Sequence, residues 1–194
     1  MANGNNRSFI QNPLSFIRSH QFMVNRTISA ARPLRRGSVD VDLISFDPAN
    51  PQHIRLEEFS IQRSARGRYA LNAFFLPEIM DDTSLIKINV NRQYFFTTEL
   101  KGDLFAAYGK DPLNLTIEHV NCHSPAARVP IIPRAQAILA AGHPFCKILS
   151  PLPVPKSNRH QVKTYINSTL VVGIRSGTGW EFHYKPGANS LFRL

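Results

Sequence analysis

Along most of the chain apolar and polar residues alternate with a period of two, the signature of strands with one face buried and one face wet. Val39, Val41 and Leu43 are separated by Asp40 and Asp42, and the turn run Asp47-Pro48-Ala49-Asn50-Pro51 ends this strand. Ile54 and Leu56 continue the alternation, which slips at Glu57-Glu58 and resumes at Phe59 and Ile61, as in a bulged strand. Arg63 to Arg68, with Gly67, reads as a tight turn into a facing strand through Tyr69, Leu71, Ala73 and Phe75, stopped by Pro77. Beyond the turn at Asp81-Asp82, Ile86, Ile88 and Val90 alternate with Lys87, Asn89 and Asn91, and Tyr94 to Phe96 makes a further strand. Leu113, Leu115 and Ile117 alternate in turn, and two final strands run from Val162 to Ile174 and from Trp180 to Tyr184.

Helical periodicity is scarce. Asp103 to Tyr108 reads as one helical turn before Gly109. Pro130 to Gly142 is a full helix: the prolines suit its first turn, Ile131, Ala135, Ile138 and Leu139 form an apolar face, and Gly142 ends it. Pro151, Pro153 and Pro155 then mark an extended edge or linker. About eight short strands and one short helix predict an all-β fold, a two-sheet β-sandwich over residues 39–194. No internal repeat is evident.

Residues 1–38 do not follow the strand pattern. Phe9, Ile10, Leu14, Ile17 and Phe22 suit one face of a short helix after Pro13, within a stretch rich in Asn, Ser and Arg. This stretch is expected to be a basic, flexible N-terminal arm, of the kind found in organelle transit peptides and nucleic-acid-binding proteins.

Charge sharpens that picture. The 194 residues carry a formal charge of +10 and a pI near 10.1, so an anionic partner is expected. Residues 1–38 hold six arginines and no acid, and a second acid-free block runs from His119 to Trp180. A hydrophobic content of 43% with 13 Phe excludes global disorder. No apolar run is long enough for a transmembrane helix. A secretory leader is not read either, because Asn12, Pro13, Arg18 and His20 interrupt the apolar residues near the start.

Both cysteines and three of the seven histidines fall between His119 and Cys146. Three readings stay open. His119-x-x-Cys122 and His143-x-x-Cys146 repeat one spacing and, with His123 nearby, offer a zinc set. A Cys122–Cys146 disulfide would instead staple a strand end to the end of the following helix, a closure worth about 3 kcal/mol. Two free core thiols are the third. The sequons at Asn6, Asn25, Asn114 and Asn167 are compatible with a glycosylated, secreted chain. No catalytic constellation is read: Asp40 and Asp42, Asp81-Asp82 and Gly177-Thr178-Gly179 suit edges and turns, and no cofactor motif occurs.

The segment Arg66 to Ala73, Asp81-Asp82 before a strand, a cysteine after a strand, a helix, a second cysteine near Ser150-Pro151-Leu152-Pro153, and a terminal Gly179-Trp180-Glu181-Phe182 strand together resemble the insect branch of the ML lipid-recognition superfamily. The likeness spans about residues 54–185. It implies a secreted, non-enzymatic carrier that holds a lipid or other hydrophobic ligand between its sheets, in a chemosensory setting. Phe74, Phe75, Ile88, Tyr94, Phe96, Ile117 and Trp180 would line the site, Lys147, Lys156 and Arg159 would form a charged rim, and Cys122 would bond Cys146. The rival expectation is an intracellular or virion protein, a nucleic-acid-binding or capsid-like sandwich whose arm neutralises phosphates.

Overall fold

In a computed structural model the structure describes residues 4–23, 36–58, 70–122, 130–154, 161–166, 168–186 and 190–194. Two sheets pack face to face, as the alternation predicts. The larger has, among the described residues, eight strands in the order β1(Gln21–Met23), β3(His53–Glu58), β2(Gly37–Ser45), β4(Leu71–Leu76), β6(Tyr94–Thr97), β11(Leu170–Ser176), β12(Gly179–Lys185), β13(Phe192–Arg193). The smaller has five, in the order β10(Gln161–Thr164), β9(Phe145–Ser150), β7(Leu104–Asp111), β8(Asn114–Val120), β5(Thr83–Ile88).

The all-β class holds; the strand count expected from the sequence does not. Asp103 to Tyr108, read as a helical turn, belongs largely to β7. That strand lies between β8 and β9 with both faces covered, so Leu104, Phe105, Ala106 and Ala107 are all buried and no alternation survives. The expected single strand from Val162 to Ile174 is two: β10 pairs with β9 and β11 pairs with β6 and β12, so the chain changes sheets between them. β1 and β13 are too short to carry a pattern.

Three apolar layers result. Phe74, Phe95, Phe105, Ile117, Trp180 and Phe182 fill the space between the sheets, with Phe105 and Phe182 ring centroids 5.5 Å apart. Gly173 is required here, because a Cβ would lie 2.9 Å from the Cβ of Phe95 and 3.0 Å from the ring of Phe182. A second layer covers the outer face of the large sheet. A third lies between the small sheet and the helix that the sequence predicts, Ile131–Ala140.

That second layer corrects the expected arm. Residues 4–23 fold onto the sheet as α1(Gly4–Gln11), α2(Pro13–Ser19) and β1, and the later helix is accordingly α3. Phe9, Phe16 and Ile17 are buried there, each contributing roughly 1.5–3 kcal/mol. Asn6 accepts from the backbone N–H of Leu43 at 2.8 Å and donates to Asp42 at 3.0 Å, so a buried amide ties α1 to β2. Lys185 on β12 donates to the carbonyls of Ile17, Arg18 and His20 at 2.7, 3.0 and 2.7 Å, satisfying the C-terminal end of α2. The Asn6 sequon is therefore closed to a glycan in the folded chain; Asn25 and Asn167 lie outside the described residues.

Candidate functional site

The chemistry of this chain gathers on β8, where parity sends successive side chains to opposite faces of the small sheet. Glu118 points outward beneath α3. Arg134 of that helix donates to both its oxygens, from Nε at 2.8 Å and from Nη2, and the Tyr108 hydroxyl donates to Oε1. Burial and the adjacent carboxylate raise the Tyr108 pKa, and Glu118 raises that of Arg134. The network is closed, an ion pair with one phenol.

His119 points inward, toward the large sheet. Its Nε2 lies 2.9 Å from Asp103 Oδ2 and its Nδ1 lies 3.5 Å from the Thr98 hydroxyl. Asp103 sits just before β7, held by the Lys101 backbone N–H on Oδ2 and by the Tyr165 hydroxyl on its own carbonyl. Glu78, on the connection from β4 to β5, brings a second carboxylate to within 4.8 Å of the ligating atoms of Asp103 and His119.

A groove of about 410 Å³ opens on the outer face of the small sheet, beyond the part that α3 covers. Lys87, Thr116 and Tyr108 stand in register across β5, β8 and β7 along its floor. Lys110 and Asn114 close one side. His143 closes another, following the left-handed Gly142 at φ +65 and lying 4.7 Å from the Tyr108 ring. Ile88 and Leu115 border the groove, although their side chains are buried on the inter-sheet face, and no acidic residue among the described residues lines it.

The expected ligand-lining set does not come together. Phe74, Ile88, Ile117 and Trp180 face the inter-sheet layer, whereas Phe75, Tyr94 and Phe96 face the opposite side of the large sheet under α1 and α2. Adjacent residues of one strand alternate between faces, so Phe74 and Phe75 cannot share a cavity. Of the expected rim, Lys156 and Arg159 lie outside the described residues. Lys147 stands with Lys163 and Arg193 at the sandwich edge, and burial and those two cations lower its pKa.

Cys122 and Cys146 are free thiols, a correction to the expected disulfide. Val120, two residues before Cys122, pairs with Leu104 of β7, whereas Cys146 pairs with Tyr108. Those positions are about 13 Å apart along the strand, well beyond disulfide reach. The zinc set is split as well: His119 is inside, His143 and Cys146 are outside, and His123 is not among the described residues. Burial pushes the Cys146 thiol up to about 11.

Sequence reasoning missed Glu78, Asp103, Lys87 and Lys110. One signal was available: His119 occupies an inward position two residues after Ile117, where a buried polar side chain demands a partner.

No protein-family model matches the sequence, and no curated protein matches it. A solved structure is similar in fold, the C-terminal domain of CNFy from Yersinia pseudotuberculosis. The match has a TM-score of 0.53 over 99% of this chain and 97% of that domain, at 8% sequence identity. At that identity the likeness is one of architecture.

Proposed function

We propose that this protein is a non-enzymatic binding domain for an amphipathic anion, a lipid-like or other partly apolar molecule bearing a carboxylate or phosphate, seated in the outer groove. The observation that carries this is the in-register row Lys87–Thr116–Tyr108 flanked by Lys110 and His143, with no acidic lining residue among the described residues and a volume in the range of small-molecule sites. Two ammonium groups and an imidazole suit an anionic head, and the Tyr108 ring suits an apolar body. The reading keeps the ligand class that the ML resemblance implies and moves the site outward, since aromatic rings occupy the inter-sheet space. A binding role is further supported by the nearby potential nucleophiles: the Tyr108 hydroxyl is committed to Glu118, and the Cys146 thiol is buried and protonated.

Isothermal titration with dodecyl phosphate, inorganic phosphate and dodecyltrimethylammonium tests it. Dodecyl phosphate should bind, and the other two should bind weakly or not at all. A Lys87→Glu/Lys110→Glu double variant should lose the binding. Equal binding of the cationic amphiphile, or retention of binding in the double variant, would refute the assignment. Salt-sensitive RNA binding that survives the double variant would favour the nucleic-acid reading.

A further inference from the structure

We infer that Glu78, Asp103 and His119 form a divalent transition-metal site at the edge of the inter-sheet core, separate from the outer groove. Three geometric facts support it. First, one donor atom from each residue lies within 4.8 Å of the other two, so one ion can reach all three after small side-chain rotations. Second, the 2.9 Å between His119 Nε2 and Asp103 Oδ2 suits adjacent ligands of an octahedral ion, which at metal–ligand distances of about 2.1 Å stand about 3.0 Å apart. Third, the Ser84 hydroxyl is fully buried without a hydrogen-bond partner among the described residues, on the residue of β5 directly opposite His119 and on the same face. A buried hydroxyl at this place suits a water bound to the ion.

The surroundings fix two of the ligands before any ion arrives. Lys101 N–H orients the Asp103 carboxylate, and Tyr165 holds the Asp103 backbone through its carbonyl. Thr98, itself held by the Glu78 backbone N–H at 2.8 Å, lies beside His119 Nδ1 and so favours Nε2 as the ligating nitrogen. Glu78 is the half-buried member and marks the way in from solvent. One imidazole with two carboxylates is a donor set for Mn²⁺, Fe²⁺ or Co²⁺ rather than for the thiolate-bound zinc that the cysteine spacing suggests.

The test uses the full chain with Mn²⁺ and Co²⁺. Titration calorimetry should give one Mn²⁺ per chain, and Mn²⁺ should broaden the His119 ring signals in NMR spectra of the wild-type protein before any other histidine. Glu78→Gln, which keeps the side-chain shape at the least buried ligand, should weaken Mn²⁺ binding roughly tenfold or more. Glu99→Gln, at an exposed acid, should leave it unchanged. Broadening centred on another histidine, the absence of Mn²⁺ binding by the wild type, or a folded Glu78→Gln protein with unchanged affinity would each overturn the site. Because broadening is read on the wild type, the inference is decided even if a variant fails to fold.

Discussion

Glu118 and His119 follow one another on β8 and are both fully buried, yet one side chain faces α3 and the other faces the large sheet. Glu118 meets a guanidinium fork and a phenol, so its charge is matched where it lies. His119 meets a carboxylate, a distant hydroxyl and, across the strand pair, a buried hydroxyl with no partner among the described residues. The outer cluster is complete in itself and holds a helix in place. The inner cluster is where the metal ion inferred above would sit. Burial alone therefore separates nothing here; what separates the two clusters among the described residues is the buried Ser84 hydroxyl without a partner opposite His119.

Removing the matching charge should have the largest effect. Arg134→Met leaves Glu118 buried without its cation and should cost about 3 kcal/mol or more in urea unfolding, with the Glu118→Gln/Arg134→Met double variant recovering part of the loss. Tyr108→Phe keeps the ring against His143 and removes one charged hydrogen bond, at a cost of roughly 1.5–3 kcal/mol. On the inner side, Mn²⁺ at about 100 times its dissociation constant should raise stability by about 2.7 kcal/mol in the wild type, and by the same amount in Tyr108→Phe if the faces are independent.

The smallest effects concern Cys146, opposite Tyr108 on the outer face. Its raised pKa means that the folded chain holds the thiol proton more tightly than the unfolded chain does. The stability this contributes is present below the unfolded thiol pKa near 9 and is lost as pH rises toward about 11. Wild-type protein should accordingly lose stability relative to Cys146→Ala above pH 9 in parallel melts. At pH 8 iodoacetamide should modify the half-buried Cys122 well before Cys146, as mass spectrometry of the intact chain would show. Faster modification of Cys146 would show that α3 does not seal the outer cluster.

The alternation in Val39 to Leu43 and in Leu115 to Ile117 was legible because each of these strands has neighbours of alternating polarity, and α3 was legible from its proline start and Gly142 stop. β7 was not legible, since a central strand covered on both faces loses the period that marks a strand. The N-terminal helices were half legible: Phe9 and Ile17 carry an apolar face, but nothing local says that an uncovered sheet face awaits it. His119 drew attention through its spacing to Cys122, whereas its partner Asp103 lies 16 residues away and reaches it through the register of β7 on β8.

The sequence by itself determined the all-β class, the short internal helix and the strong positive charge, because these rest on period, capping and composition along the chain. Only the tertiary structure decided which face each strand residue occupies, that residues 4–23 pack onto the large sheet, and which carboxylates meet His119. Those outcomes depend on strand order and register, which bring together residues such as Glu78, Asp103 and His119 from separate connections. Local pattern carries no record of which strand will lie beside which.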